Sequence, residues 1–205
     1  KGESVHASPE GNAARHLTLQ GQQFVPGSER TRVLLPLAFC RECGQEYYVV
    51  RRVREEGKTL LVARDLGERN DDGDVGEVGF LHLDDEAPWP TENADVLARL
   101  PESWIELRNG VPTVRASKRA RRPEALWVSP DGVIGAGARA HWIPAPFLFC
   151  LRCGVEYDAH QSSDFGKLAT LGSEGRSTAT TVLTLSAVRE LRRDASLEAR
   201  ARKVL

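Results

Sequence analysis

Four cysteines are the residues of this sequence best suited to chemistry, and they occur in two copies of one pattern. Residues 39–47 and 149–157 both read F-C-x-x-C-G-x-E-Y and together contain every cysteine of the chain. Two residues between thiols let a tight turn aim both sulfurs at one point, and two such turns supply four soft ligands for a tetrahedral ion. The pattern therefore predicts one structural zinc site with four ligands: Cys40, Cys43, Cys150 and Cys153.

The residues around each cysteine pair fit the same interpretation. Gly44 and Gly154 follow the second cysteine of each pair, and glycine adopts a positive φ without steric cost. We expect this conformation to turn backbone N–H groups toward the thiolates. The flanking phenylalanine and tyrosine are expected to pack beside the metal and exclude water.

Four other uses of the cysteines compete with structural zinc. A thioredoxin-like redox pair normally lies in a βαβ context, which the sequence lacks. Two disulfides suit a secreted chain, but no targeting pattern is visible and 205 residues do not need such crosslinks. An iron–sulfur cluster also takes four cysteines and stays open. A catalytic zinc is disfavoured because four thiolates leave no coordination position for water.

Composition is that of an ordinary globular protein. The chain is 40% hydrophobic and 28% charged, with a formal net charge of −1, so the protein as a whole is not a polyanion binder. No apolar run reaches membrane-spanning length, and paired cysteines without a secretory signal indicate the cytoplasm. The chain has no methionine and ends on the strand-like residues 203–205. Both features lead us to expect a piece of a larger protein.

Runs of β-forming residues predict strands at residues 33–39, 47–53, 59–63, 78–83 and 104–107, and a hairpin across residues 126–134. Residues 93–100 predict a short helix. We therefore expect an α+β fold, mainly an antiparallel β zinc-ribbon-like domain with a C-terminal amphipathic helix. The predicted organisation is a polar extension (1–30), a ribbon domain (31–165) with an insert at about 65–140, and a helical segment (166–205).

The C-terminal helix is predicted to run from an N-cap at Ser177 or Thr178 to about Arg193. Its apolar stripe, widened by Leu183, has four members: Val182, Leu185, Val188 and Leu191.

Charged segments outside the cysteine pattern carry weaker signals. Residues 71–74 lack the alternation and the distal Glu of an EF-hand loop and predict a solvated loop. His160 is expected on the surface or beside the site rather than as a ligand. The basic run at 115–122 predicts either a phosphate-contacting patch or a solvated loop that balances the acidic stretch. The phosphate-contacting candidates are Lys118, Arg119, Arg121 and Arg122.

Residues 172–181, G-S-E-G-R-S-T-A-T-T, follow the second cysteine pattern and precede the predicted helix. With the two cysteine patterns, this stretch resembles the four-cysteine insert between the two motor lobes of large bacterial DEAD/DEAH-box helicases of superfamily 2. The resemblance covers residues 17–64 and 140–205. It implies that the motor lobes of the parent chain are partners, that a second RecA-like lobe follows, and that DNA or RNA is the substrate.

The motifs of the motor are absent from this sequence. It contains no G-x-x-x-x-G-K-[ST] loop and no D-E-A-H box, so ATP and Mg²⁺ belong only to the motor lobes and this chain is not expected to hydrolyse ATP. The predicted function is a non-catalytic zinc-binding accessory domain of an ATP-dependent helicase, with nucleic-acid contact. Arg176, Ser177 and Thr178 are expected either to hold a phosphate at a helix N-terminus or to form a capped helix start. The alternative is a protein-interaction or architectural module.

Overall fold

The computed structural model describes residues 4–68, 76–83, 88–158, 163–171 and 176–193, and within the last range it describes the side chains of residues 181–189. The predictions for residues 71–74, His160 and residues 203–205 lie outside the described residues. So do the side chains of Arg176, Ser177 and Thr178.

One large, mainly antiparallel sheet organises the described residues. Its strands are β1 (His6–Ala7), β2 (Leu17–Thr18), β3 (Leu35–Cys40), β4 (Glu46–Glu55), β5 (Lys58–Ala63), β6 (Glu77–His82), β9 (Glu124–Val128), β10 (Ala138–Pro144) and β11 (Leu168–Ala169). Their order is β2-β1-β3-β4-β6-β10-β9, with β5 paired to β4 and β11 paired to β3. The predicted α+β class with an antiparallel sheet is confirmed.

Both faces of the central strands are buried. Along β4, Tyr47 and Val49 belong to one hydrophobic cluster, whereas Tyr48 and Val50 belong to another. Because successive side chains of a strand point to opposite faces, these clusters lie on opposite sides of the sheet. This two-sided burial explains why the strands read as nearly continuous apolar runs rather than as alternating patterns.

The N-terminal segment and the middle of the chain both contribute to this sheet. Strand β1 pairs with β3, and the Tyr48 hydroxyl donates a hydrogen bond to the Ser8 carbonyl at 2.7 Å. Strand β6 lies between β4 and β10. Its Leu81 is opposite Tyr48 of β4 on one side and opposite Trp142 of β10 on the other. Strands from residues 4–30 and 65–140 are therefore hydrogen-bonded to the strands that flank the first cysteine pair.

Smaller elements cover the face that contains Tyr47. They are α1 (Asn93–Arg99), the hairpin of β7 (Ile105–Arg108) and β8 (Val111–Val114), and 3₁₀ turns at Glu102–Trp104, Ala116–Arg121 and Asp164–Gly166. The hairpin turns at Asn109 and Gly110, with φ of 52° and 78°, which matches a type I′ turn. Trp104 belongs to a 3₁₀ turn rather than to the predicted strand, which begins at Ile105.

The C-terminal helix α2 spans Arg176–Arg193. It begins one residue before Ser177, so neither Ser177 nor Thr178 occupies the predicted N-cap position. Val182 is buried against the sheet. Leu183 is 64% exposed, so the prediction that it widens the apolar stripe is wrong: a position next to Val182 is turned about 100° around the helix, away from the packed side.

Gly79 occupies a crowded position in the central strand β6. A Cβ atom at this residue would lie 2.4 Å from Cζ2 of Trp142 and 2.6 Å from the carbonyl oxygen of Ile143. The Gly79 carbonyl also accepts a hydrogen bond of 3.1 Å from the buried guanidinium of Arg64. Only glycine allows β6 and β10 to approach this closely.

We expect Gly79→Ala to lower the free energy of unfolding by about 2 kcal/mol, because the added methyl group overpacks the contact with Trp142. Urea denaturation followed by tryptophan fluorescence measures the change. Gly166→Ala is the matched control, since none of the described residues lies within 4 Å of the equivalent Cβ position. Equal losses in the two variants would contradict this account of Gly79.

Candidate metal centre

The four cysteine sulfurs meet at one place on the Tyr47 face of the sheet. Each lies within 4.8 Å of the others, with 4.0 Å between Sγ of Cys40 and Cys153 and 3.6 Å between Sγ of Cys43 and Cys150. All four are free thiols. The predicted ligands are brought together, and the cluster could hold a metal ion.

Residues 39–47 and 149–157, here called the first turn and the second turn, have the same backbone structure. The Gly44 amide donates to the Cys40 carbonyl and the Gly154 amide donates to the Cys150 carbonyl, at 2.8 and 2.9 Å. The φ angles of these glycines are 74° and 73°. The expected positive φ is thus confirmed in both copies.

Backbone amides of neighbouring residues point at the sulfurs. The Cys43 amide hydrogen-bonds the Cys40 sulfur, and the Cys153 amide hydrogen-bonds the Cys150 sulfur in the equivalent position. The Gln45 amide does the same for the Cys43 sulfur. Such N–H groups stabilise negative charge on thiolates. The left-handed glycine closes the turn, and its neighbours supply these donors.

The tyrosine that ends each turn reaches the first cysteine of the other turn. The Tyr47 hydroxyl lies 3.2 Å from Sγ of Cys150 and accepts a 2.9 Å hydrogen bond from the Leu151 amide. When Cys150 is a thiolate, the Tyr47 hydroxyl is the donor to its sulfur, because a thiolate has no proton to give. The Tyr157 hydroxyl donates a 3.4 Å hydrogen bond to the Lys167 carbonyl and also lies near the Cys40 sulfur. The two turns are therefore joined crosswise at the cluster.

The thiols of Cys40, Cys43 and Cys150 shift one another's pKa values in different directions. Hydrogen bonds from Cys40 and Cys43 hold the pKa of Cys150 well below its usual range. The same interaction with Cys150 raises the pKa of Cys40 to about 12 and raises that of Cys43. Burial keeps the pKa of Tyr47 well above its usual value, so this tyrosine remains a hydrogen-bond donor. A cation that binds all four sulfurs has to displace thiol protons, and acid therefore opposes binding.

The segment between the two turns packs directly on the second turn. The Trp104 and Phe149 rings meet edge to face with centroids 4.9 Å apart. Arg99 donates a 2.7 Å hydrogen bond to the Leu151 carbonyl, and its guanidinium lies 4.6 Å from the centroid of the Trp89 ring. These contacts fix the backbone between Cys150 and Cys153.

The glutamate of the repeated pattern has an anchoring role that sequence reasoning missed. Glu46 of the first turn forms an ion pair with Arg15. Glu156 of the second turn accepts hydrogen bonds from Ser103 at 2.5 Å and from Nε1 of Trp104 at 3.0 Å. Each glutamate thus ties a distant segment to its turn. The repetition of glutamate in both copies was the signal available in the sequence.

A second missed feature is the buried ion pair of Asp164 and Lys167. Nζ of Lys167 lies 3.1 Å from Oδ1 of Asp164, which also accepts a 2.9 Å hydrogen bond from the Phe147 amide. The pair joins the chain entering the second turn to the 3₁₀ turn that precedes β11. Strand β11 in turn pairs Leu168 with Cys40.

The basic run forms the 3₁₀ turn Ala116–Arg121, and three of its four candidate side chains contact the protein itself. Nζ of Lys118 lies 5.2 Å from the centroid of the Trp104 ring. Arg119 donates to the Val114 carbonyl at 3.4 Å, and Arg121 donates to the Ala145 carbonyl. Arg122 is half-buried. The run is therefore only partly solvated, with Arg119 exposed and Lys118 and Arg121 half-buried, and the predicted phosphate contact stays a prediction.

Comparison of the chain with family models, with curated proteins and with solved structures found no match. No described helix is long and apolar enough to span a membrane. Fold and site together define an α+β protein with an antiparallel sheet and a four-thiol centre suited to a metal ion.

We expect Tyr47→Phe to weaken metal binding by about 10- to 100-fold, because the variant loses a hydrogen bond to a ligand sulfur. Competition with a chromogenic chelator measures the change in affinity. Tyr48→Phe is the control: its hydroxyl is equally buried but bonds Ser8 on the opposite face. We expect Tyr48→Phe to lower stability while leaving metal affinity unchanged. A similar loss of affinity in both variants would contradict a specific role for Tyr47.

Proposed function

We propose that this protein is a structural zinc-binding module in which one ion is held by Cys40, Cys43, Cys150 and Cys153. The sulfur separations carry the proposal. A tetrahedron with Zn–S bonds of about 2.3 Å has S–S edges of about 3.8 Å. The separations of 3.6 and 4.0 Å lie on either side of that value.

The same separations argue against the competing uses of four cysteines. A disulfide requires sulfurs about 2.05 Å apart, far closer than the 3.6 Å between Cys43 and Cys150. An iron–sulfur cluster places several metal atoms between its thiolates and needs a wider cage than one bounded by 4.8 Å. Four thiolates around one ion also leave no open position for a substrate, which favours a structural role.

The expected contribution of the ion is to crosslink distant parts of the chain. Cys43 and Cys150 are 107 residues apart, and Cys40 and Cys153 are 113 residues apart. Closing such long loops costs conformational entropy that metal–thiolate bonds offset. We therefore expect metal removal to loosen the second turn and the Trp104 segment that packs on it.

We further propose that the module is an accessory domain of a larger ATP-dependent helicase. The support is the resemblance of both cysteine patterns and of residues 172–181 to the inserts of that class. Helix α2, which begins within this stretch, also contacts the first turn: Arg189 donates a hydrogen bond to the Cys43 carbonyl. A domain placed in this way would connect the metal centre to the following motor lobe.

The first test is the metal content of the purified protein, measured by elemental mass spectrometry. We expect one zinc per chain and no stoichiometric iron. Cobalt substitution should give the intense visible absorption of a tetrahedral tetrathiolate site. Chelation should lower the melting temperature, and acid should release the metal because the thiols regain their protons.

A double variant, Cys150→Ser with Cys153→Ser, separates one shared site from two independent ones. We expect it to lose all zinc, since the first turn alone supplies only two ligands. Ser163→Ala changes an exposed residue outside the cluster. It serves as a control for metal lost during purification, and we expect it to retain one zinc. Absence of metal from the wild-type protein, or half-retention by the double variant, would refute the shared zinc site.

Nucleic-acid contact is the second candidate, and the basic run favours it. Lys118, Arg119 and Arg121 also contact the protein itself. Their substitution would therefore change the stability of the fold as well as the affinity for DNA. Arg115, which is exposed, and Arg122, which is half-buried, are the better probes. We expect an Arg115→Ala, Arg122→Ala double variant to bind DNA more weakly and to lower the salt slope by about 1 for each phosphate that these arginines neutralise.

Fluorescence anisotropy with single- and double-stranded DNA at several salt concentrations measures this effect. Arg54→Ala is the control, since it removes an exposed arginine on β4, outside the basic run. Wild-type affinity in the double variant would refute a role for Arg115 and Arg122. The alternative, a protein-interaction or architectural module, would then be favoured.

A further inference from the structure

The four sulfurs differ in their access to solvent although the two turns share one backbone structure. Cys40, Cys43 and Cys150 are 0%, 3% and 0% exposed, whereas Cys153 is exposed. Cys43 and Cys153 occupy equivalent positions, each the second cysteine of its turn. Their different exposure therefore cannot come from the turn itself and has to come from what packs against it.

Helix α2 accounts for the difference. Cγ1 of Val182 lies 3.9 Å from the position that a Cβ atom would take at Gly44, next to Cys43. Arg189, two turns further along the helix, donates its hydrogen bond to the Cys43 carbonyl. Among the described residues, nothing lies within 4 Å of the equivalent position at Gly154, next to Cys153. The helix covers one turn and leaves the other open.

We propose that Cys153 is a modification site, the one sulfur of the metal centre that soft electrophiles and peroxides reach directly. This inference rests on the proposed zinc site, because Cys153 is one of its four ligands and modification of a ligand sulfur weakens metal binding. A thiol is inert while buried and reacts when exposed, so the packing of α2 decides which ligand is attacked first. The other three ligands react only after the site has opened.

The chemistry with hydrogen peroxide follows from the position of Cys40. The Cys153 thiolate attacks one peroxide oxygen: an S–O bond forms, the O–O bond breaks and hydroxide leaves, so that Cys153 becomes a sulfenic acid. The Cys40 thiolate, 4.0 Å away, then attacks the Cys153 sulfur and expels a second hydroxide. One peroxide is reduced, two thiolates are oxidised to a disulfide, and two of the four ligands are lost.

The experiment is site-resolved labelling of the full chain after its metal content has been measured. N-ethylmaleimide is added for increasing times, and peptide mass spectrometry reports the fraction of each cysteine that is modified. We expect Cys153 to react at least about tenfold faster than Cys43. With hydrogen peroxide we expect a Cys40–Cys153 disulfide and release of the metal to a chromogenic chelator in parallel.

Two variants test the cause of the asymmetry. Val182→Ala and Arg189→Ala should each speed the labelling of Cys43 and leave the rate at Cys153 unchanged, since they remove cover from the first turn only. Leu183→Ala, which changes an exposed residue of the same helix, should alter neither rate.

Metal-loaded protein in which all four cysteines react together, or in which a buried cysteine reacts first, would overturn the inference. So would rates at Cys43 that do not respond to Val182→Ala or to Arg189→Ala. Purified protein that contains no metal would refute the zinc proposal, and faster labelling of Cys153 than of Cys43 in that protein would still support the exposed reactive thiol. The two failures are therefore distinguishable in one data set.

Discussion

The structure depends on one constraint: two short turns, more than 100 residues apart in sequence, bring four sulfurs within 4.8 Å of one another. Strands β3 and β4 carry the first turn at the edge of a two-sided core, so its position is set by buried hydrogen bonds and side chains on both faces. The second turn follows β10 and lies against the same face. Four sulfurs at this spacing suit a shared cation, because neighbouring thiolates repel one another and a cation between them offsets that repulsion.

The two turns are near copies whose surroundings differ, and the differences carry the specific properties of the site. Each tyrosine reaches the first cysteine of the opposite turn, and each glutamate anchors a different remote segment, through Arg15 in one case and Trp104 in the other. Among the described side chains of helix α2, Val182 and Arg189 lie against the first turn. A repeated sequence therefore produces a symmetric set of ligands, whereas the chain around it produces an asymmetric centre with one exposed sulfur.

The segment between the turns is built into the fold. Strands β6, β9 and β10 complete the sheet beside β4, while Trp89 and Trp104 pack against Phe149 of the second turn. The basic run contacts the same segment, because Lys118 lies over the Trp104 ring. Lys118 thus stabilises the segment that covers the candidate metal centre, whereas Arg115 and Arg119 of the run are exposed.

The sequence by itself determined the four candidate ligands, the two turns with their left-handed glycines, most of the strands and the α+β class. These are local properties: spacing within a turn, the conformational freedom of glycine and the β-propensity of short runs. Only the tertiary structure decided that Tyr47 and Tyr157 cross between the turns, that Lys118 and Arg121 face the protein, and that Cys153 is exposed while Cys43 is not. Those features depend on contacts between residues far apart in the chain, and no local pattern encodes which distant side chain will cover a given sulfur.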